Sequence, residues 1–228
     1  MGDYDDLSST SERPILSNPS LHGSTRTTLD EVYDRNVRLL CKEIGFMKGR
    51  IVGLIEGNHY STFMDGTTTT QRMCQYLGCK YLGVSAFIRI LLVKKSCHSR
   101  HSAKVDIWAH HGTSGGRLVG TSINSVQRME EIAEADIYLM GHDHKKSIAT
   151  MSKLHLSDAK SHLKLNHKRI LLGRTGSFLL GYVQGKPSYV ADAAMRPSDL
   201  GTIKIEITFK QTTLKNMTER YIDIHGSI

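Results

Sequence analysis

Residues 136–144 read DIYLMGHDH, a short apolar run that ends at a glycine and continues into two histidines and an aspartate. Such a run, bounded by turn signals, is typical of a buried β-strand, and the glycine allows a sharp turn directly after it. Two other stretches repeat the arrangement: IVGLIEGNHY at 51–60 and KVDIWAHHG at 104–112. The sequence therefore predicts three strands, each ending in a polar turn that contains glycine.

The polar residues after these strands are expected to lie close together. Ligands of open, largely parallel sheets bind at the carboxyl ends of the strands, where neighbouring strand ends lie side by side. Imidazole nitrogens and amide or carboxylate oxygens are ligands for borderline divalent cations. We therefore expect a metal site built from some of six residues: Asn58, His59, His110, His111, His142 and His144.

The segments between these strands alternate with helical patterns. A helix is predicted from Thr28 to about Gly49, with Thr28 and Glu31 as a capping box and an apolar face of Val32, Leu39, Leu40, Ile44 and Met47. Further helices are predicted over 67–77 and 121–135, and β-strands in 87–93, HKRILL, SFLLGYV and GTIKIEITF. Alternation of strands and helices indicates a layered α/β fold. We expect one domain over residues 1–228.

Composition narrows the class of protein. The chain has 228 residues, 39% of them hydrophobic and 23% charged, which is typical of a globular domain. Its net charge of +8 favours anionic partners. Four cysteines are too few for a disulfide framework in a chain of this length, so we expect a reducing compartment and a cytoplasmic protein. Apolar runs are too short for a membrane span.

Four short stretches of the sequence resemble motifs of the calcineurin-like metallophosphoesterase family. That family shows, in order, D-x-H, G-D-x-x-D, G-N-H followed by an acid, a lone histidine at a strand end, and G-H-x-H. Here Gly2 to Asp6 match the second element, with Asp3 and Asp6 at the carboxylate positions, and 57–59 match the third. His110, or its neighbour His111, matches the fourth, and 141–144 match the fifth.

The chain departs from the family pattern at two places. Tyr60 stands where the family has an acid after G-N-H, and no D-x-H precedes Asp3. In the family, both D-x-H and G-D follow buried parallel strands. We therefore expect the fold to be a calcineurin-like β-sandwich flanked by helices that lacks its first two strands, and the folded domain to begin upstream of Met1.

The resemblance implies a role for each matched residue. Asp3 would bridge two divalent ions, Asn58, His110 and His142 would complete one metal site, and His144 would belong to the other. The ions implied are Mn²⁺, Fe²⁺, Zn²⁺ or Ni²⁺, with Mn²⁺ favoured. His59 would face the scissile phosphate as the catalytic residue rather than bind metal.

The resulting expectation is hydrolysis of a phosphomonoester or phosphodiester by metal-activated water, with a nucleotide or nucleic acid among the candidate substrates. One alternative is a catalytically impaired relative that binds metal or nucleic acid without turnover. A second is a basic nucleic-acid-binding module, since residues 141–180 carry eight basic side chains against two acidic ones.

Two weaker patterns have simpler interpretations. GTSGG at 112–116 could bind phosphate through backbone N–H groups, but it lacks the P-loop spacing and is interpreted as a loop. Cys97, His98 and His101 lack a paired C-x-x-C and are interpreted as a polar loop.

Overall fold

The computed structural model describes residues 1–8, 10–93, 102–113, 118–156, 163, 165–214 and 217–228. The Cys97/His98/His101 group and residues 114–116 of GTSGG lie outside this part of the chain. The chain divides into two compact units, residues 1–86 and 87–228, which are described separately.

The first unit is mainly helical. Its short helix α1 (Arg13–Leu16) precedes the long helix α2 (Gly23–Glu43) and a 3₁₀ turn. Strand β1 (Gly53–Leu54), helix α3 (Thr69–Leu77) and strand β2 (Lys80–Tyr81) follow, and β1 pairs with β2 in parallel. The strand that leads to Asn58 therefore belongs to its own two-stranded sheet.

Helix α2 begins earlier than its predicted capping box. Its N-cap is His22, whose Nδ1 accepts a hydrogen bond from the Ser24 backbone N–H. Thr28 lies inside the helix, where its hydroxyl donates to the Ser24 carbonyl. The predicted capping box is therefore wrong, because the imidazole of His22, six residues before Thr28, caps the helix in place of the Thr28 hydroxyl.

The apolar face predicted for α2 is also wrong in part. Val32 and Leu39 are exposed, whereas Tyr33 and Val37 are buried. The core of this unit joins α2 to β1 and α3 and contains Val37, Leu54, Met73, Cys74 and Leu77. Full burial of a valine, leucine or methionine side chain such as these contributes about 1.5–3 kcal/mol.

The second unit is built on a five-stranded mixed sheet. Its strands are β3 (Ser85–Val93), β4 (Ser102–His110), β5 (Ile137–Met140), β6 (Lys146–Leu156) and β7 (Leu165–Thr175), in the order β3-β4-β5-β7-β6. Strands β4, β5 and β7 run parallel, and β6 is antiparallel to β7. Helix α4 (Val119–Gln127) and a 3₁₀ turn connect β4 to β5.

Each face of this sheet is covered by a different element. On one face, Tyr138 and Leu172 form a buried cluster with Val126 and Met129 of the α4 region. On the other, Val105, Ile107, Ile137 and Leu171 pack with Ile224 of the antiparallel pair β8 (Lys204–Leu214) and β9 (Met217–Ser227). Helix α5 (Tyr189–Asp192) lies in the connection before β8.

The α/β class predicted from the sequence is confirmed, as is the parallel neighbourhood of the AHHG and GHDH strands. The strand predicted in SFLLGYV is wrong: among described residues its ladder contacts are the single bridges Ser177 to Leu200 and Val183 to Lys186. Phe178 is 78% exposed, so this run lacks the burial that a strand of such residues needs. In the described residues, no helix is both long and apolar enough to cross a membrane.

Candidate metal and phosphoester site

The first unit brings the Gly-Asp and Gly-Asn-His motifs together. The Asp3 Oδ1 accepts hydrogen bonds from the backbone N–H of Asn58, at 2.7 Å, and of His59, at 3.0 Å. Two backbone N–H donors thus hold one oxygen of this carboxylate in place. The turn after β1 therefore forms a cradle for the Asp3 carboxylate.

Gly57 allows this approach. A Cβ atom at that position would lie 1.9 Å from Asp3 Oδ1 and 2.2 Å from the Asp3 backbone nitrogen. Any side chain would therefore displace Asp3. Asp3 itself has a φ of 48°, in the left-handed region that few residues other than glycine adopt.

His59 is held by a second carboxylate. Its Nδ1 lies 2.7 Å from Asp6 Oδ1. An ionised carboxylate only accepts hydrogen bonds, so this contact assigns the proton to Nδ1. Nε2 is then the ring atom through which His59 can exchange a proton with another group.

Arg13 supports the same turn from its other side, which no sequence signal indicated. Its Nε donates to the Tyr60 carbonyl at 2.7 Å, and its Nη2 donates to the Asn58 carbonyl. The guanidinium carbon lies 3.7 Å from the centre of the Tyr60 ring, a cation–π contact. The residue that departs from the family pattern thus stacks on the arginine that fixes the turn.

Two further carboxylates lie near this turn, a half-buried one at Asp5 and a buried one at Glu56. Burial raises the pKa of Asp5 to about 6, with smaller contributions from Asp6 and Asp3 in the same direction. Glu56 is 6% exposed and accepts hydrogen bonds from the Thr68 hydroxyl and from the Tyr81 hydroxyl. Hydroxyl donors satisfy the Glu56 carboxylate without a cation.

The second unit brings together the histidines of two neighbouring parallel strands. His111 Nε2 lies 3.2 Å from His142 Nδ1, and the two rings meet edge to face at 86° with centroids 5.1 Å apart. His111 is buried, with 4% of its surface exposed. The contact follows from the register, which places His110, the last residue of β4, beside Met140, the last residue of β5.

His110 points elsewhere. Its Nδ1 accepts a hydrogen bond from the Gly112 backbone N–H at 2.7 Å. The His110 ring is therefore bound to the loop that directly follows β4. Burial, with a smaller effect of His111, lowers the pKa of His110. Neighbouring residues of an extended strand project to opposite sides, so one histidine of the pair meets His142 and the other does not.

The GHDH turn is tight. Its backbone has a φ of 73° at His142 and 60° at His144, both in the left-handed region. The Gly141 N–H donates to the His111 carbonyl at 3.0 Å, and the Asp143 N–H donates to the Gly141 carbonyl. His144 is half-buried and lies two residues after His142 on this turn.

The donor set of the second unit suits a borderline divalent ion. A hydrogen bond between two imidazole nitrogens requires a proton on one of them. A cation that took the place of this proton would use the lone pairs of both rings. Imidazole pairs of this kind are ligands for Zn²⁺, Fe²⁺ and Ni²⁺, which are three of the four ions that the family resemblance implies.

The basic segment 141–180 carries less unpaired positive charge than its composition indicates. Lys160 and Lys164 lie outside the described residues. The remaining six basic side chains each lie within 4 Å of an acidic oxygen: Lys145 and Arg174 of Asp143, Lys146 of Asp199, Lys153 of Glu130, Lys168 of Asp136 and Arg169 of Asp223. This pairing weakens the case for a nucleic-acid-binding surface there.

Comparisons with protein-family profiles, with curated proteins and with solved structures find no match to this chain.

Proposed function

We propose that this chain is a metal-dependent phosphoesterase of the calcineurin-like type, which hydrolyses a phosphomonoester or phosphodiester. The observation that carries the proposal is the contact of the Gly-Asn-His turn with Asp3. Two family motifs that are about fifty residues apart in the sequence meet there through the residues that the resemblance names. The His111–His142 pair gives independent support from the last two motifs.

The geometry changes one ligand in this proposal. The sequence pattern favours His110, and His111 is the alternative. We propose His111 as the ligand, because its Nε2 faces His142 while the His110 Nδ1 is bound to its own loop. The resemblance assigns Asp3 and Asn58 to the same centre as His142, and His144 to a second ion.

Divalent ions, when bound, polarise the phosphate and lower the pKa of a coordinated water. The residues of the chain have complementary tasks. Asp3, held by two N–H donors, supplies a fixed carboxylate, and His111 and His142 supply two imidazoles. His59 donates a proton to the leaving oxygen through Nε2, and Asp6 keeps the other ring proton on Nδ1.

The alternative is a relative of that family that binds one ion and does not hydrolyse phosphoesters. It is favoured by the His111–His142 contact, the one imidazole pair among the described residues, which supplies ligands for one ion. Metal stoichiometry and activity separate the two functions. The phosphoesterase binds about two ions and hydrolyses p-nitrophenyl esters, whereas the alternative binds about one ion and leaves these substrates intact.

The test uses Mn²⁺ titration and elemental analysis of the wild type and three variants. His142→Ala and His111→Ala should each weaken Mn²⁺ binding by more than about tenfold. His110→Ala is the matched control and should retain most of the metal. If the His111 and His142 variants bind as much metal as the wild type, the proposed metal site is wrong. If only His110→Ala loses metal, His110 is the ligand instead of His111.

A further inference from the structure

Arg174 is a fully buried cation beside the GHDH turn. It lies on β7 opposite Met140, the last residue of β5, and none of its side chain is exposed. Its Nη1 donates to the Gly141 carbonyl at 2.6 Å, and its Nε donates to the Ser122 carbonyl of α4 at 3.0 Å. One guanidinium therefore ties the start of the turn to the helix that covers the sheet.

The same guanidinium faces the centre of the turn. Asp143 Oδ2 lies 3.6 Å from Arg174 Nε and also accepts a hydrogen bond from the Ser122 hydroxyl. Asp143 Oδ1 accepts a hydrogen bond from the Lys145 backbone N–H at 3.3 Å. Arg174 thus contacts the turn on both sides of His142, at the residue before it and at the residue after it.

Burial of a charge of this kind carries a large desolvation free energy. Desolvation of an ion pair often exceeds its Coulomb attraction, and well-packed apolar residues serve stability as well or better. Among the described residues, none accepts a hydrogen bond from Arg174 Nη2. Stability alone therefore gives no reason for a guanidinium here.

The turn, by contrast, needs external support. His142 and His144 have positive φ values of 73° and 60°. Backbone in such conformations persists where the surroundings fix it. The Arg174 hydrogen bond to the Gly141 carbonyl and its ion pair with Asp143 act on the two residues that flank His142.

We propose that Arg174 is a positioning residue that holds the GHDH turn in the conformation that brings His142 Nδ1 to His111 Nε2. Its value for metal binding rests on the proposed function, but the positioning itself is a property of the metal-free protein. An apolar residue of similar volume would fill the space and leave Gly141 and Asp143 without their common partner.

The test compares Arg174→Met and Arg174→Lys with Arg169→Met. Arg169 is on the same strand, more than half exposed, and paired with Asp223, so its replacement removes a β7 cation without touching the turn. Circular dichroism and thermal unfolding check that each variant is folded. The deciding measurement is the ¹⁵N chemical shift of the His111 and His142 ring nitrogens in metal-free protein.

Arg174→Met should change the ring-nitrogen shifts of both histidines and weaken Co²⁺ binding by about tenfold or more, the usual effect of losing a residue that orients a ligand. Arg174→Lys keeps the charge but cannot reach both carbonyls. Its ring-nitrogen shifts and its Co²⁺ affinity should therefore lie between those of Arg174→Met and the wild type. Arg169→Met should match the wild type. A folded Arg174→Met with unchanged shifts overturns the proposal.

If Arg174→Met does not fold, the ring-nitrogen shifts of His111 and His142 are measured in Asp143→Asn instead. This variant keeps the shape of the side chain and removes the charge that faces the guanidinium. Unchanged shifts in that variant also overturn the proposal. A wild type that binds no metal refutes the proposed function alone, since the shifts are measured without metal.

Discussion

Gly57 in the first unit and His111 in the second show how single positions define the candidate residues of each unit. At Gly57 the constraint is space, because a Cβ would lie 1.9 Å from the Asp3 carboxylate. At His111 the constraint is direction, because its ring faces His142 while that of His110 turns back to Gly112. Both constraints involve atoms from distant parts of the sequence.

The His59–Asp6 pair leads to a prediction about catalysis. His59→Asn should lower turnover of a p-nitrophenyl ester by about 10²–10⁴, the usual effect of losing a general acid. Asp6→Asn should lower it by about 10–100-fold, because the amide no longer holds the proton on Nδ1. Metal content, measured by elemental analysis, should remain that of the wild type in both variants.

His22→Asn is the control for this experiment, since His22 is an exposed cap of α2 and asparagine is a good N-cap. It should leave turnover unchanged. Metal loss in parallel with activity in His59→Asn would make His59 a ligand rather than an acid.

Helix α3 links local sequence to the position of the Gly-Asn-His turn. Thr68 is its N-cap: the Thr68 hydroxyl accepts from the Gln71 N–H, and the Gln71 side chain accepts from the Thr68 N–H. The same hydroxyl donates to Glu56, the residue before Gly57. One threonine therefore caps a helix and fixes the end of β1.

Thr68→Ala should lower the free energy of unfolding by about 1–3 kcal/mol, because it removes an N-cap and leaves the buried Glu56 carboxylate with one hydroxyl donor fewer. Urea unfolding followed by circular dichroism measures the change. Thr68→Ser, which keeps the hydroxyl, should differ from the wild type by less than about 0.5 kcal/mol. Equal losses in both variants would mean that the methyl group, not the cap, is responsible.

At the scale of the whole chain, the two units hold different ionisable groups. The second unit buries Arg174 and His111, whereas the first buries the Cys74 thiol and partly covers the Tyr81 phenol. Burial foremost, with smaller effects of Cys79 and Cys41, raises the pKa of the Cys74 thiol to about 12, and burial with the neighbouring Glu56 raises the pKa of Tyr81 to about 12. The clusters of the second unit are built from aliphatic side chains with Trp108, Tyr138 and methionines.

The first unit should therefore lose stability in alkali. Between pH 9 and about pH 12 the unfolded Cys74 thiol ionises while the folded one keeps its proton, so the unfolded state binds fewer protons and the free energy of unfolding falls as pH rises. Tyr81 acts in the same direction above pH 10, more weakly because it is 39% exposed.

Urea unfolding with reductant at pH 8 and at about pH 10.5 measures this decline. The circular dichroism signal near 222 nm is dominated by helix, and α2 is the longest helix described. Cys74→Ala should flatten the pH dependence even though it lowers stability at pH 8. An unchanged slope in that variant would exclude the thiol as its cause.

The sequence by itself determined the features that depend on nearby residues. The apolar runs that became β4 and β5 and the turns that follow the glycines were predictable, because hydrophobic runs and turns are local properties of a chain. The motif order also placed Asp3, Asn58, His59 and His142 among the candidate site residues.

Only the tertiary structure decided which of those residues meet. The choice of His111 over His110 depends on the direction of β4 within its sheet, and the Asp6–His59, Arg13–Tyr60 and Arg174–Gly141 contacts join residues separated by more than 30 positions. The run SFLLGYV has strand-forming residues yet lacks a ladder, since a strand needs a partner that its own sequence does not specify. Pairing, burial and side-chain direction are set by the surroundings of a residue, and the surroundings are assembled only when the chain folds.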